Sequence, residues 1–385
     1  MADLGRWTRA VRTGMGADPA VGAVVPPIYL STNYLFDGMG QPGAYDYSRS
    51  NNPTRDLLSD ALATLEGGAG ATAVGTGLAA ITLIAEAFIP AGGRAVVQHD
   101  AYGGTWRLFA FLAEQGRFDV DFVDFNDPAA FQAALGQNPA VVWIETPSNP
   151  LMRITDIAAA SAAAHDAGAL VVADNTFLSP LLQRPLEHGA DLVVHSTTKF
   201  LNGHSDVVGG AVIAATQEQH ERLRLWGNAL GLTAGAFDSY LALRGIRTLD
   251  ARLRVHQENA AVLVEVLRTH PAVARLYYPG LPEHPGHEVA ARQQSGFGSL
   301  ISLELHGGVQ AAERFLDGLL IFHLAESLGG VESLICHPDS MTHAGMSPEA
   351  RATAGITGGL LRMSVGVESA DDLATVVSEA LERAS

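Results

Sequence analysis

Between residues 95 and 215 the chain keeps returning to one pattern. Short runs of apolar and β-branched residues stand at 95–98, 120–123, 141–144, 170–173, 192–194 and 211–213. Segments of helical character, such as 78–88 and 157–167, precede or separate them. Strands that are apolar on both faces belong inside a layer, and helical crossovers between them keep successive strands parallel. The pattern predicts an α/β fold with a mostly parallel sheet covered by helices on both faces.

The flanks read differently. Residues 1–55 are rich in Pro, Gly, Tyr and Asn (Pro26-Pro27, Pro42-Gly43, Asn51-Asn52-Pro53) and predict an irregular arm. A helix is expected over 54–66, stopped by Gly67-Gly68. A long helical region follows from about 222 through 236–248 to 268. Short strands at 299–305 and 360–366 then mix with helices at 309–316 and 370–383, which reads as a smaller α+β domain. A chain of 385 residues exceeds one ordinary core. The division expected is an arm over 1–55, a central domain over 56–245 and a C-terminal domain over 246–385.

Charge narrows the partners. Asp and Glu number 41 against 24 Lys and Arg, a formal net charge of −17. Such a surface repels phosphate backbones and anionic lipid, so neither nucleic acid nor membrane is expected as a partner. No apolar stretch reaches the roughly 20 residues of a membrane span, and residues 1–12 lack a signal core. A single cysteine, Cys336, excludes an internal disulfide and fits a reducing cytoplasm. No metal is expected.

In an open α/β sheet, ligands bind beyond the carboxyl ends of the strands. The residues just after each run are Tyr102-Gly103-Gly104, Glu145-Thr146-Pro147-Ser148-Asn149-Pro150, Asp174-Asn175-Thr176 and His195-Ser196-Thr197-Thr198-Lys199. Turns favour such residues anyway, but a lysine closing four polar clusters at one edge asks for a chemical reason. A buried ammonium is costly, and a neutral amine is what imine formation requires. The alternative is a lysine that snorkels to the surface from a strand end. Gly75-Thr76-Gly77 before the helix at 78 is either an ordinary turn or a place where backbone N–H groups meet an anion.

The stretch Asp191-Leu192-Val193-Val194-His195-Ser196-Thr197-Thr198-Lys199-Phe200-Leu201-Asn202-Gly203-His204-Ser205 resembles the pyridoxal 5′-phosphate (PLP) attachment signature of the Cys/Met metabolism enzymes. That family includes cystathionine synthases and lyases, methionine γ-lyase and homoserine sulfhydrylases. Further motifs stand in order: Tyr47-Ser48-Arg49, Asn52-Pro53-Thr54, Tyr102-Gly103-Gly104-Thr105, Glu145 to Pro150, Asp174 to Phe177, Ala325 to Leu334, and Leu361-Arg362. The resemblance covers nearly the whole chain and implies the fold type I PLP-transferase architecture, like that of aspartate aminotransferase.

Carried over residue by residue, it implies that Lys199 holds PLP as a Schiff base and shuttles protons once released. Asp174 pairs with the pyridine nitrogen, Tyr102 stacks on the ring, and Asn149 lies near the phenolic oxygen. The phosphate is held by the backbone of Gly77 and Leu78 and by the hydroxyls of Ser196 and Thr198. Tyr47 and Arg49 reach it from a neighbouring subunit, so a homo-oligomer is implied, a tetramer built as a dimer of dimers. Arg362 binds the substrate α-carboxylate. Asp46, Arg107, Glu326 and Ser327 are the candidates for the rest of the substrate, although Arg107 also reads as a plain helix-surface cation. Leu78 and Phe200 depart mildly from the family's Met and Tyr.

Within the family, Gly104 stands where methionine γ-lyases carry cysteine, and Arg107 is unlike sulfhydrylases. The stretches 235–240, 286–294 and 341–346 lean toward the branch that performs γ-replacement. The reaction implied is an O-acyl-L-homoserine, O-succinyl first, plus L-cysteine. The alternative is γ-elimination from L-cystathionine by the same residues.

Overall fold

The apolar runs become a seven-stranded sheet in the computed structural model, which describes residues 4–385. In chain order its strands are β1 Gly70–Val74, β2 Arg94–Gln98, β3 Asp119–Val123, β4 Val141–Glu145, β5 Leu170–Asp174, β6 Leu192–His195 and β7 Gly210–Ala214. Side by side they run β1-β7-β6-β5-β4-β2-β3, and only β7 is antiparallel to its neighbours. Each expected run is found, extended by a residue or so. The addition is β1, whose Gly-Ala-Thr-Ala-Val lacks the bulk that marks the others. Its first residue must be small, because a Cβ at Gly70 would sit 2.1 Å from His220 Nδ1.

Helices cover both faces. Ile84, Phe109 and Trp143 fill one side, and Phe131, Ile144 and Ile157 the other. Fully burying such a side chain contributes about 1.5–3 kcal/mol, more than the ~1 kcal/mol that separates the best and worst strand formers. Two-sided burial, rather than β propensity, therefore explains the composition of these strands.

The second half builds a five-stranded sheet from β8 Val273–Tyr277, β9 Leu300–Leu305, β10 His323–Leu324, β11 Leu334–Cys336 and β12 Leu360–Ser364, in the order β8-β9-β12-β11-β10. Leu263, Phe315 and Leu381 from the helices Leu249–Thr269, Gly308–Leu316 and Ala370–Ala384 pack against it. The long helical region resolves into three helices, Gln217–Leu230, Ala236–Ile246 and Leu249–Thr269. Among the described residues no helix is long and apolar enough to cross a membrane.

Ahead of the sheets, the helix Pro53–Glu66 is capped by Asn52, whose side chain accepts from the N–H groups of Thr54 and Arg55. Gly67 ends it with a left-handed φ of +78°. The arm before it carries a short helix, Arg6–Arg12, and two short strands, and leaves Leu30, Leu35 and Met39 exposed.

Candidate active site

The parallel register sets the carboxyl ends of β4, β5 and β6 level, with Glu145 opposite Asp174 and Asp174 opposite Val194. Beyond that edge lies a cavity of about 520 Å³. Of the residues expected at the site, Gly77, Leu78, Tyr102, Asn149, Asp174, Ser196, Thr198, Lys199, Glu326, Ser327 and Arg362 line it together. A larger groove of about 1310 Å³ runs past Arg153, Tyr277 and His284, but none of those site residues faces it. The chemistry, not the volume, identifies the site.

Lys199 Nζ donates to Ser327 Oγ at 2.7 Å. Burial first, and the nearby Arg362 charge second, pull its pKa down from 10.5 to about 8. Ser327 holds a left-handed φ of +86°, uncommon for a residue other than glycine. Its carbonyl oxygen accepts from Arg362 Nη2 at 2.9 Å, while Arg362 Nη1 donates to Asn149 Oδ1 at 2.7 Å. Arg362 Nε is buried without a partner. The fork is thus fixed by two bonds, with donor capacity left for a planar anion.

Asp174 is half-buried at the end of its strand, and desolvation pushes its carboxyl pKa up. One oxygen accepts from Thr176 N–H at 2.9 Å. Among the described residues no Lys, Arg or His forms an ion pair with it. Glu145, on the neighbouring strand, is pushed up by burial and then by the charge of Asp174. Its oxygens accept from Tyr102 N–H at 2.6 Å and Thr105 Oγ1 at 2.9 Å, fixing the turn that carries the Tyr102 ring. Glu145 had no assigned role in the sequence reading. The available signal was an acid ending a strand otherwise as apolar as Val-Val-Trp-Ile.

At the other end of the cavity the helix Gly77–Phe88 begins. Thr76 caps it by accepting from Ala79 N–H at 2.8 Å, so the N–H groups of Gly77 and Leu78 stay outside the intrahelical ladder. A Cβ at Gly77 would come within 2.9 Å of Ser196 Cβ. Glycine there keeps open a cradle between a helix N-terminus and a serine, which suits a phosphate. A partly desolvated carboxylate without an ion-pair partner suits a protonated ring nitrogen, and a lysine with a lowered pKa suits a carbonyl. The residues present fit PLP.

Asp46, Tyr47, Arg49 and Arg107 do not line this cavity. Arg49 donates from Nε to Asn228 Oδ1 at 2.9 Å, and its guanidinium lies 5.4 Å from the Tyr47 ring. Asp46 caps its own arm by accepting from Tyr47 N–H at 2.6 Å. Arg107 is exposed on the helix Gly103–Glu114, close to Gly345.

The sequence profile of the Cys/Met metabolism PLP-dependent enzymes matches residues 7–382. Cystathionine gamma-synthase of Escherichia coli (strain K12) is 56% identical over 366 residues, covering 95% of each chain. Cystathionine beta-lyase of Lactococcus lactis subsp. cremoris is 45% identical over 376 residues, covering 98% of each. A crystal structure of cystathionine gamma synthase from Xanthomonas oryzae pv. oryzae in complex with cystathionine superposes with a TM-score of 0.98 at 59% identity, covering 99% of this chain and 98% of that one. With the family profile spanning residues 7–382, this chain belongs to the Cys/Met metabolism PLP-dependent enzymes.

Proposed function

We propose that the chain is a cystathionine γ-synthase, replacing the acyl group of an O-acyl-L-homoserine, O-succinyl first, with L-cysteine to give L-cystathionine. The observation that carries this reading is near-full-length similarity, at 56% and 59% identity, to two proteins of that name. A site with one amine, one fixed guanidinium and room for an amino acid supports it.

When bound, PLP supplies an electron sink for negative charge that develops next to the substrate amine. The chain's own residues do the rest. Lys199 would hold the cofactor and, when its amine is free, take the proton from the substrate Cα and return it elsewhere. With a pKa near 8 that amine is far more often neutral at working pH than an ordinary lysine. Ser327 steers it by accepting a hydrogen bond from Nζ at its Oγ. Arg362 binds the α-carboxylate through its open Nε edge, which sets the Cα–H bond toward Lys199, a positioning effect. Asp174 holds the ring nitrogen protonated, and Glu145 fixes Tyr102 as a wall that excludes water. Ser196, Thr198 and the N–H groups of Gly77 and Leu78 take the phosphate.

The arm over 1–55 would deliver Tyr47 and Arg49 to a neighbouring subunit, giving a dimer or a tetramer of two dimers. The remaining division, 56–245 and 246–385, follows the two sheets. The experiment is product partition from O-succinylhomoserine with saturating cysteine: cystathionine is expected to dominate. Predominant 2-oxobutyrate, with rapid cleavage of added cystathionine, would assign the chain to γ-elimination instead.

A further inference from the structure

Residues 337–346 form no helix or strand, yet the segment is tightly tied. His337 Nε2 lies 2.8 Å from Gly358 O, and Arg351 pairs with Asp339 at 2.8 Å while donating to Met346 O at 2.6 Å. At its middle His343 is only 1% exposed. His343 Nε2 donates to the Asn149 carbonyl oxygen at 3.1 Å, and Nδ1 stands 2.9 Å from Thr342 Oγ1. A carbonyl only accepts, so Nε2 carries the hydrogen and Nδ1 takes the Thr342 hydroxyl. Burial, and then the Arg362 charge, hold the imidazole down at about 4, so the ring is neutral and this tautomer persists.

Asn149 is therefore gripped twice: by its carbonyl through His343, and by its side chain through Arg362 Nη1 at 2.7 Å. Its loop is fastened from beneath, where Ser148 Oγ and Arg153 Nη1 both donate to Asp100, at 2.5 and 3.0 Å. A neutral donor suits the place, since a second cation there would face the Arg362 charge.

We propose that His343 is a positioning residue for the substrate-carboxylate clamp, aiming Arg362 through Asn149. The proposal rests on the reading of Arg362 as the group that binds the α-carboxylate. It separates binding from chemistry, since His343 touches neither Lys199 nor Asp174.

The test compares His343→Phe, which keeps a flat ring without a donor, with His343→Gln, whose amide nitrogen restores one. Arg362→Met serves as the control. Two quantities are read: KM against kcat for O-succinylhomoserine, and the dissociation constant of L-norvaline, which has no γ leaving group, followed by cofactor absorption. His343→Phe is expected to raise both KM and the norvaline constant about tenfold, with kcat within about twofold. His343→Gln is expected to stay within about threefold of wild type. Equal values for Phe and wild type, equal losses in Phe and Gln, or a fall in kcat at constant KM would each overturn the proposal. If Arg362→Met leaves norvaline binding unchanged, the clamp reading itself falls, and this inference with it. If only the His343 variants are silent, the inference falls alone. Should His343→Phe not fold, judged by its melting temperature, His343→Met replaces it with the same expectation.

Discussion

Ser327 offers its hydroxyl to Lys199 at 2.7 Å and, from the same left-handed backbone, its carbonyl to Arg362 at 2.9 Å. One residue thereby ties the Lys199 amine to the Arg362 guanidinium, the groups proposed above for proton transfer and carboxylate binding. Ser327→Ala keeps the carbonyl but removes the hydroxyl. We expect kcat to fall about tenfold through loss of one hydrogen bond, with KM nearly unchanged. A φ of +86° also strains any residue with a Cβ. Ser327→Gly should therefore be more stable than Ser327→Ala by about 1 kcal/mol, measured by urea denaturation. Equal stability of the two variants would remove strain from the account.

Lys199 should make the cofactor-free chain pH-sensitive. Its pKa is about 8 when folded, against a model-peptide value near 10.5. Below pH 8 the amine is charged in both states, and folding bears the full desolvation cost, on the order of 3 kcal/mol. Between about 8 and 10.5 the folded state sheds its proton first, so that cost fades as pH rises. Lys199→Met should thus melt above the wild type at pH 7, with the gap closing on going to pH 10. Capture of PLP by the wild-type chain should quicken through pH 8, as the neutral amine appears. A gap that stays constant with pH would mean the amine is not desolvated.

Much of this was legible in the residues themselves. The two-sided apolar runs specify the large sheet because burial on both faces leaves no other composition for them. The polar residues after β4, β5 and β6 follow from the same reading, since parallel strands end at one edge. Strands β8, β10 and β11 were not legible, because β8 is half-exposed and interrupted by Arg275, and β10 and β11 have only two and three residues, so tertiary packing rather than local pattern places them. Glu145 escaped a role, and so did His343. Their importance lies in contacts more than 40 residues away in sequence, with Tyr102 and Asn149 respectively. Spacing cannot reveal that. Asp46, Tyr47 and Arg49, which the family resemblance assigns to the site, lie outside the cavity of their own chain.

Glu66 and His195 meet at 2.6 Å with both side chains wholly buried. Asn175 Nδ2 adds a second donor to the same carboxylate oxygen at 2.8 Å, beneath the strand ends that carry Asp174 and Lys199. Removing one partner strands the other in a dry interior, at a cost of about 3 kcal/mol. His195→Leu and Glu66→Leu should each lower the urea midpoint to that extent. The double variant should recover most of it, because two apolar side chains leave only one Asn175 N–H without its acceptor. Additive losses in the double variant would show that the two residues do not act as a pair.

Arg49 is bonded to Asn228 and lies outside the cavity that Lys199 lines in its own chain. A guanidinium suited to phosphate, carried on an arm with exposed Leu30, Leu35 and Met39, is explained if that arm lies against a second copy and completes its site. Arg49→Ala and Lys199→Ala would then disable different halves of a shared site. Each variant alone should be nearly inactive. In a mixed dimer, one of the two sites would join an intact Lys199 from one chain with an intact Arg49 from the other. Random mixing makes half the dimers mixed, so activity should return to roughly a quarter of wild type. The return should require dissociation and reassembly, so mixing without it is the control. Hybrids verified by mass but devoid of activity would assign Arg49 to its own chain.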